Sequence, residues 1–287
     1  MTGGTLYVVA TPIGNLGDVT LRSLEVLRAV GVVAAEDTRL TRRLFARHGI
    51  ATPLTSFHAR NARARLPDLL GRLRGGQDVA LVTDAGTPSV SDPGEELVAA
   101  WAAEGGTVVP IPGASAALAA ISATGIAGPR WSFEGFLPRS GRERRERLER
   151  LAADPRGAVL FEAPGRLAAT LEDLARTCGT ERPGAVCREL TKLHESITRG
   201  SLGGLAEAAS DGTIPARGEV TIVVGASGGA SAGRLPADPR QVTEEEGRAR
   251  VSALVASGVA AGAAARRVAL ETGIPRRRLY VTGRPGR

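Results

Sequence analysis

Side chains able to do chemistry gather at a few turns of this sequence. The stretch Val79 to Gly94, VALVTDAGTPSVSDPG, sets Asp84, Thr87, Ser89, Ser91 and Asp92 in one loop after a short apolar run. Carboxylates, hydroxyls and turn-forming glycine and proline at a strand end make a polar cup suited to a small ligand. A second cluster, Glu36-Asp37-Thr38-Arg39, follows the apolar run Val32 to Ala35. A third, Arg188-Glu189-Leu190-Thr191-Lys192-Leu193-His194-Glu195, follows Gly184 to Cys187. Mixed charges of this kind either pair with one another in solvent or form a rim that meets a substrate.

Several chemistries are excluded. Ser115 stands near a strand-to-helix turn, but Ala117 occupies the place where a nucleophile elbow needs glycine, and no paired histidine is identifiable. The loop TPIGNLGDVT has neither the GxGxxG spacing of a dinucleotide site nor the GK[ST] ending of a P-loop. His48, His58 and His194 are far apart and neither cysteine belongs to a CxxC pair, so the spacing predicts no metal site.

These loops need strands and helices to hold them. Leu6 to Ala10, Val32 to Ala35, Val79 to Thr83 and Thr107 to Ile111 read as buried parallel strands, each followed by a helical pattern. Thr20 caps the first helix, whose apolar residues Leu21, Leu24, Leu27 and Val30 fall near helical spacing. Thr41 to His48 forms a helix exposing Arg42, Arg43 and Arg47, and SFHARN leads into another containing Arg63, Arg65, Arg72 and Arg74. Asp92, Pro93 and Glu95 suit the N-cap, N1 and N3 positions of the helix after the polar cup. Residues 1–125 thus form one α/β domain.

Residues 126–226 form a second α/β domain. SFEGFLPR reads as strand and turn, and RERRERLERL as a helix with Glu143–Arg147 and Glu146–Arg150 pairs. Ala158 to Phe161, Gly184 to Cys187 and a central Gly218 to Gly225 are strands, with a helix from Leu167 to Cys178. Residues 227–241 are a linker rich in Gly, Ser, Ala and Pro. Residues 242–287 form a small helical module: Thr243 to Glu246 is a capping box, Val251, Leu254, Val255 and Val268 its core, and Gly273 a helix stop. With Pro275 to Tyr280 and Arg266, Arg267 and Arg276 to Arg278, its outline fits a helix-turn-helix, either as a packing unit or as a nucleic-acid reader.

The 287 residues, 43% hydrophobic and 23% charged, suit a soluble globular chain whose 3% aromatic content leaves a core of Ala, Val and Leu. The net charge of +7 comes from arginine, since Lys192 is the only lysine, and it permits nucleic acid as a partner. No signal peptide or membrane span is visible, and two cysteines fit a reducing cytoplasm.

The motifs LYVVATPIGNLGDVTLRSLEVL, AAEDTRLTRRL, SFH with Asn61, LVTDAGTPSVSDPG, PGASAALAA, FEGFLPR, RELTKLHE and GEVTIVV occur in order over residues 5 to 225. Together they resemble the tetrapyrrole-methylase superfamily of S-adenosylmethionine-dependent methyltransferases, most narrowly its members that methylate a cytidine 2′-hydroxyl of 16S ribosomal RNA. The resemblance implies two α/β domains with S-adenosylmethionine in the cleft between them, a homodimer, no membrane, and the 30S subunit's decoding centre as target. It implies Pro12, Asp84, Gly86, Thr87, Ser89, Val90, Ser115 and Ala116 on the first-domain side of the cofactor. On the second-domain side it implies Leu137, Phe161, Leu190, Glu219, Val220 and Thr221. Ala163 and Gly165 stand where the family often has serine and histidine, and His194 where it is commonly aromatic.

A ribose hydroxyl is weakly acidic, so a base or a cation near the developing oxyanion would assist transfer. Glu36 and Asp37 are the candidates for base or orienter, and Lys192 for base or electrostatic partner. Arg39, Arg42, Arg43, His58, Arg139, Arg188 and Glu189 are candidates for meeting RNA. For each, an ion pair that only fixes a loop competes with the functional reading. Methylation of a small tetrapyrrole and non-catalytic RNA binding are the competing functions.

Overall fold

Near-continuous apolar runs bury strands on both faces, and five of them build the first sheet. They are β1 (Leu6–Val9), β2 (Val32–Ala35), β3 (Leu54–Ser56), β4 (Val79–Val82) and β5 (Val108–Ile111), all parallel in the order β3-β2-β4-β1-β5. The computed structural model describes residues 3–227, 244–272 and 274–279. Helices α1 (Leu21–Ala29) and α2 (Thr38–His48) cover one face, with Leu24, Leu27, Leu44 and Phe45 in its core. Helices α3 (Ala62–Arg74) and α4 (Glu95–Ala103) cover the other, with Leu69, Leu73, Leu97 and Trp101. The neighbours β1 and β4 therefore feed helices on opposite faces, and a crevice opens at their carboxyl ends. Across it, Thr11 and Gly86 exchange backbone hydrogen bonds of 2.8 and 3.1 Å.

Local capping departs from expectation in two places, and one expected core residue faces solvent. Asp37, not a residue near Thr41, caps α2 by accepting from the Arg39 N–H, so that helix starts three residues early. Gly94 takes the N-cap position of α4 at φ +139°, with no side-chain cap, leaving Asp92 and Pro93 in the loop. Leu21 is 80% exposed, because Thr20 starts α1 with that residue facing outwards. The short edge strand β3 was not visible as a separate unit, since its three residues are only half buried.

The second sheet runs β6-β7-β10-β8-β9, from β6 (Trp131–Phe136), β7 (Gly157–Glu162), β8 (Pro183–Arg188), β9 (Ser196–Ser201) and β10 (Val220–Val224). Only β6 and β7 pair in parallel; the other pairings are antiparallel, with β10 in the centre as the sequence indicates. The period of two is plain in β10. Val220, Ile222 and Val224 face α6 (Gly141–Ala153), α7 (Leu167–Cys178) and α8 (Leu202–Ser210), while Val223 faces α5 (Ala116–Thr124). Ala117 and Ala120 of α5 pack on Val159, Ala185 and Val223, so the last helix of the first domain welds the two domains. On α6 the ion pairs differ from those expected: Arg142 pairs with Glu146, and Arg147 turns back to the Glu134 and Phe136 carbonyls and the Glu134 carboxylate.

At the C-terminal end α9 (Glu244–Ala256) and α10 (Ala261–Thr272) enclose Val251, Ala264, Ala265, Val268, Ile274 and Leu279. Val255, expected in this core, is 41% exposed. Part of the basic run is spent on docking against the second domain, with Arg277 3.3 Å from Asp211 and Arg278 3.8 Å from Glu207, while Arg278 also pairs within the module with Glu244 at 3.0 Å. The expectations for Thr243, Gly273, Tyr280 and all but the first residue of the linker fall outside the described residues. Among the described residues no helix is long and apolar enough to cross a membrane.

Candidate functional site

A cavity of ≈ 440 Å³ lies between the domains, at the crevice set up by β1 and β4. From the loop after β4 it receives Asp84, Gly86, Thr87 and Val90, and from the start of α5 Ser115 and Ala116. The second domain contributes Phe161, Leu190, Glu219, Val220 and Thr221. These residues are distant in sequence and were all expected at one ligand.

Three expected residues are not in its lining. Leu137 is 2% exposed and belongs to the core beneath α6 and α7, where its carbonyl accepts from Arg166. Ser89, at φ +68°, aims its hydroxyl at Gly94, and Ile13 lines the wall in place of Pro12. The cavity also includes Ser91 and Asp92, two members of the polar cup expected from the sequence, together with Phe136, Glu162, Pro164 and Cys187, which were not expected at a ligand. Each lies in or next to a motif already noted, so position relative to a strand end was the available signal. Phe136 and Phe161 meet edge to face at 5.7 Å and give the second-domain wall an aromatic surface.

The first-domain wall is acidic. Glu36 Oε2 accepts from the Thr83 hydroxyl at 2.7 Å and from the Asp84 N–H at 3.3 Å. Asp84 Oδ1 accepts from the Asp37 N–H at 2.8 Å. Burial pushes the Asp92 carboxyl up to about 6, with the charges of Glu36 and Asp84 adding to the rise and a Thr83 hydrogen bond opposing it. Burial, followed by the charge of Glu36, also raises Asp84. Among the described residues no lysine, arginine or histidine lines the cavity. Among the described residues no cluster of His, Cys, Asp and Glu is arranged to hold a metal ion.

The two other proton-transfer candidates have different surroundings. Hydrogen bonds from the Arg39 side chain and backbone hold Asp37 down at about 2, and its carboxylate is spent on capping α2. It does not line the cavity, so Glu36 is the carboxylate of that motif which does. Burial pulls the Lys192 ammonium down, but Glu189 at 3.0 Å and Glu219 at 3.2 Å outweigh this and hold it above the ordinary lysine value. These two carboxylates favour the charged form of Lys192.

Its loop is built under backbone strain, with Glu189 at φ +51° and Thr191 at φ +67°. Glu189 Oε1 accepts from both Lys192 Nζ and the Glu219 N–H, at 3.0 and 2.8 Å. The Thr191 hydroxyl accepts from the Asn15 N–H at 3.2 Å, joining this loop to the one after β1. Ser115 caps α5 through the Leu118 N–H, which accounts for its place without nucleophilic chemistry.

Of the residues expected to meet RNA, Arg39, Arg42, Arg43 and Arg139 are exposed, on elements that leave the cavity-lining residues Glu36 and Phe136. Arg39 is tied to Asp37 at 2.6 Å. His58 is half buried after β3, where Asn61 caps its N–H. Arg188, expected to meet RNA, is instead 6% exposed and donates to the Arg217 carbonyl and the Ser196 hydroxyl. Glu189 is committed to the bonds just described.

The family described as tetrapyrrole (corrin/porphyrin) methylases matches residues 5–206. A Synechocystis protein named ribosomal RNA small subunit methyltransferase I is 46% identical over 277 residues, covering 96% of each chain. A Pseudomonas aeruginosa protein of the same name is 47% identical over 224 residues, covering 78% of this chain and 79% of the relative. Uroporphyrin-III C-methyl transferase from Thermus thermophilus, solved with S-adenosyl homocysteine, shares the fold at TM-score 0.57 and 20% identity, covering 77% of this chain and 97% of that one. With two α/β domains enclosing one cavity, and with these matches along most of its length, the chain belongs to the tetrapyrrole methylase family.

Proposed function

We propose that this chain uses S-adenosylmethionine to methylate the 2′-hydroxyl of a cytidine in 16S ribosomal RNA, at the decoding centre of the 30S subunit. The observation that carries the donor assignment is the cavity itself: among the described residues its only ionisable side chains besides Cys187 are carboxylates, which suits a ligand whose reactive end is a cation. The near-full-length likeness to proteins named ribosomal RNA small subunit methyltransferase I supports the acceptor.

The residues fit such a donor. Phe136 and Phe161 offer an apolar aromatic wall, and Glu36, Asp84 and Asp92 negative charge. Once bound, the donor supplies an electrophilic methyl group, and the protein's task is alignment with the attacking oxygen. In this reading Glu36, in the cavity lining, takes the hydroxyl proton, and the Lys192 ammonium, outside that lining but 3.2 Å from the cavity residue Glu219, stabilises the developing oxyanion. Exposed arginines on α2 and after β6 hold RNA phosphates outside the cavity, where its negative charge would repel them. The chain works as a cytoplasmic homodimer in this reading.

The test is incubation with methyl-labelled S-adenosylmethionine and 30S subunits, beside naked 16S RNA and a tetrapyrrole. Label in 2′-O-methylcytidine after nuclease digestion is the expected result. Label in the tetrapyrrole would favour small-molecule methylation, and label in nothing would favour an RNA-binding role.

A further inference from the structure

We propose that the ring of Phe136 is the platform on which the cytosine base of the acceptor nucleotide stacks, at the mouth of the cavity. This rests on the RNA-methylation reading above and deepens it. A regular strand would point residues 133 and 136 to opposite faces of the second sheet. In β6 the register against β7 slips between Phe133 and Gly135, so Phe133 pairs with Val159 and Phe136 with Phe161. Three steps along β6 thus match two along β7. Glu134 is the extra residue of a β-bulge, and Gly135 turns the chain there at φ +57°. Phe133 and Phe136 end on one face, where both rings meet Phe161 edge to face. Bulges beside active sites re-aim side chains in this way.

The backbone that presents Phe136 is held by guanidinium groups. Arg147 donates to the Glu134 and Phe136 carbonyls, Arg166 to the Leu137 carbonyl at 2.8 Å and Arg144 to the Pro138 carbonyl at 2.9 Å. A ring fixed beforehand loses little freedom when a ligand meets it. Yet Phe136 is 50% exposed, the only exposed aromatic residue among those described. The reaction brings a fitting occupant. A cavity of ≈ 440 Å³ has no room for an RNA helix. The acceptor nucleotide must therefore turn out of its stack to bring a 2′-hydroxyl inside, and its base loses the neighbours it had. An aromatic ring replaces one of them, as in proteins that hold unpaired RNA bases. Arg139, exposed three residues further on, is the group for an adjoining phosphate. Phe161, half-buried behind Phe136, is left to the donor.

The experiment compares wild type, Phe136→Leu and Phe136→Tyr in the full chain by two measurements. One is the Kd for S-adenosylmethionine by calorimetry, and the other is kcat/KM for 30S subunits with labelled donor. Phe136→Leu keeps an apolar side chain and loses the π face. It should lower kcat/KM about tenfold while the donor Kd changes by less than about twofold. Phe136→Tyr keeps the face and should stay within about twofold of wild type in both. Retained donor affinity shows that the leucine variant is folded. Donor affinity lost in step with kcat/KM overturns the inference and assigns the ring to the donor. Unchanged kcat/KM in Phe136→Leu, or equal losses in the leucine and tyrosine variants, also overturns it. Each of these results leaves RNA methylation standing, because wild type still labels the subunit. A wild-type chain that labels no 30S subunit overturns both.

Discussion

The aliphatic stem of Lys192 lies across Gly14 so closely that a Cβ built on Gly14 would sit 2.4 Å from Lys192 Cγ. Gly14 belongs to the loop after β1 and Lys192 to the loop after β8, so one side chain spans the two domains while its ammonium sits between Glu189 and Glu219. Stem and charge have separable roles.

Lys192→Met keeps the stem and removes the charge. Steady-state kinetics should show kcat reduced about a hundredfold with the donor's Kd changed by less than about threefold, the pattern of an interaction made in the transition state. Unchanged kcat would remove the ammonium from the mechanism. Gly14→Ala should instead weaken donor binding, because it pushes the stem away and opens the interdomain contact.

Gly94→Ala should destabilise the chain by about 2–4 kcal/mol, since its φ of +139° suits glycine alone and a Cβ there would come 2.6 Å from Leu81 Cδ2 in the core of the first sheet. Denaturant unfolding measures this. A loss under about 0.5 kcal/mol would mean that the loop before α4 yields freely.

Asp92 makes stability depend on pH in a direction opposite to that of a salt-bridged carboxylate. Its folded pKa is raised from 3.8 to about 6, so between those values the folded chain holds more protons than the unfolded one. The contribution is therefore present below 3.8 and is lost as pH rises through about 6. Asp92→Asn should be more stable than wild type at pH 7, and the difference should shrink towards pH 4. A difference independent of pH across that window would refute this assignment.

Arg188 and Arg43 should separate cleanly. Arg188→Met leaves the Arg217 carbonyl and Ser196 without their buried donor and should cost about 1–3 kcal/mol. Its dependence of RNA affinity on salt should not change. Arg43→Ala should leave Tm unaltered and reduce the slope of log affinity against log salt by about one. The reverse pattern would return Arg188 to the RNA surface.

Much of the architecture was legible because period and punctuation carry it. The runs LYVV, VVAA, VALV and VTIVV are too apolar to be anything but buried strands, and Leu167 to Cys178 begins and ends where the pattern says. The less regular β9 and α8 were not, because SITRGS alternates no apolar face and LGGLAEAAS carries two glycines. Caps also misled: Asp92 has the residue type of an N-cap, yet the chain turns at Gly94 to keep the loop over the cavity.

Which loops line the cavity was legible in the sequence, since polar residues clustered after apolar strands have few other places to go. What each charged residue does was decided by the tertiary structure. Glu36 and Asp37 are adjacent in the chain, yet one reaches the cavity and the other is neutralised by Arg39 on the outside. Arg188 and Lys192 share one motif, yet the first is buried against carbonyls and the second bridges two domains. Charge and hydrogen-bonding capacity are properties of the residue, but the partners that use them up come from distant strands, and only folding brings these within reach.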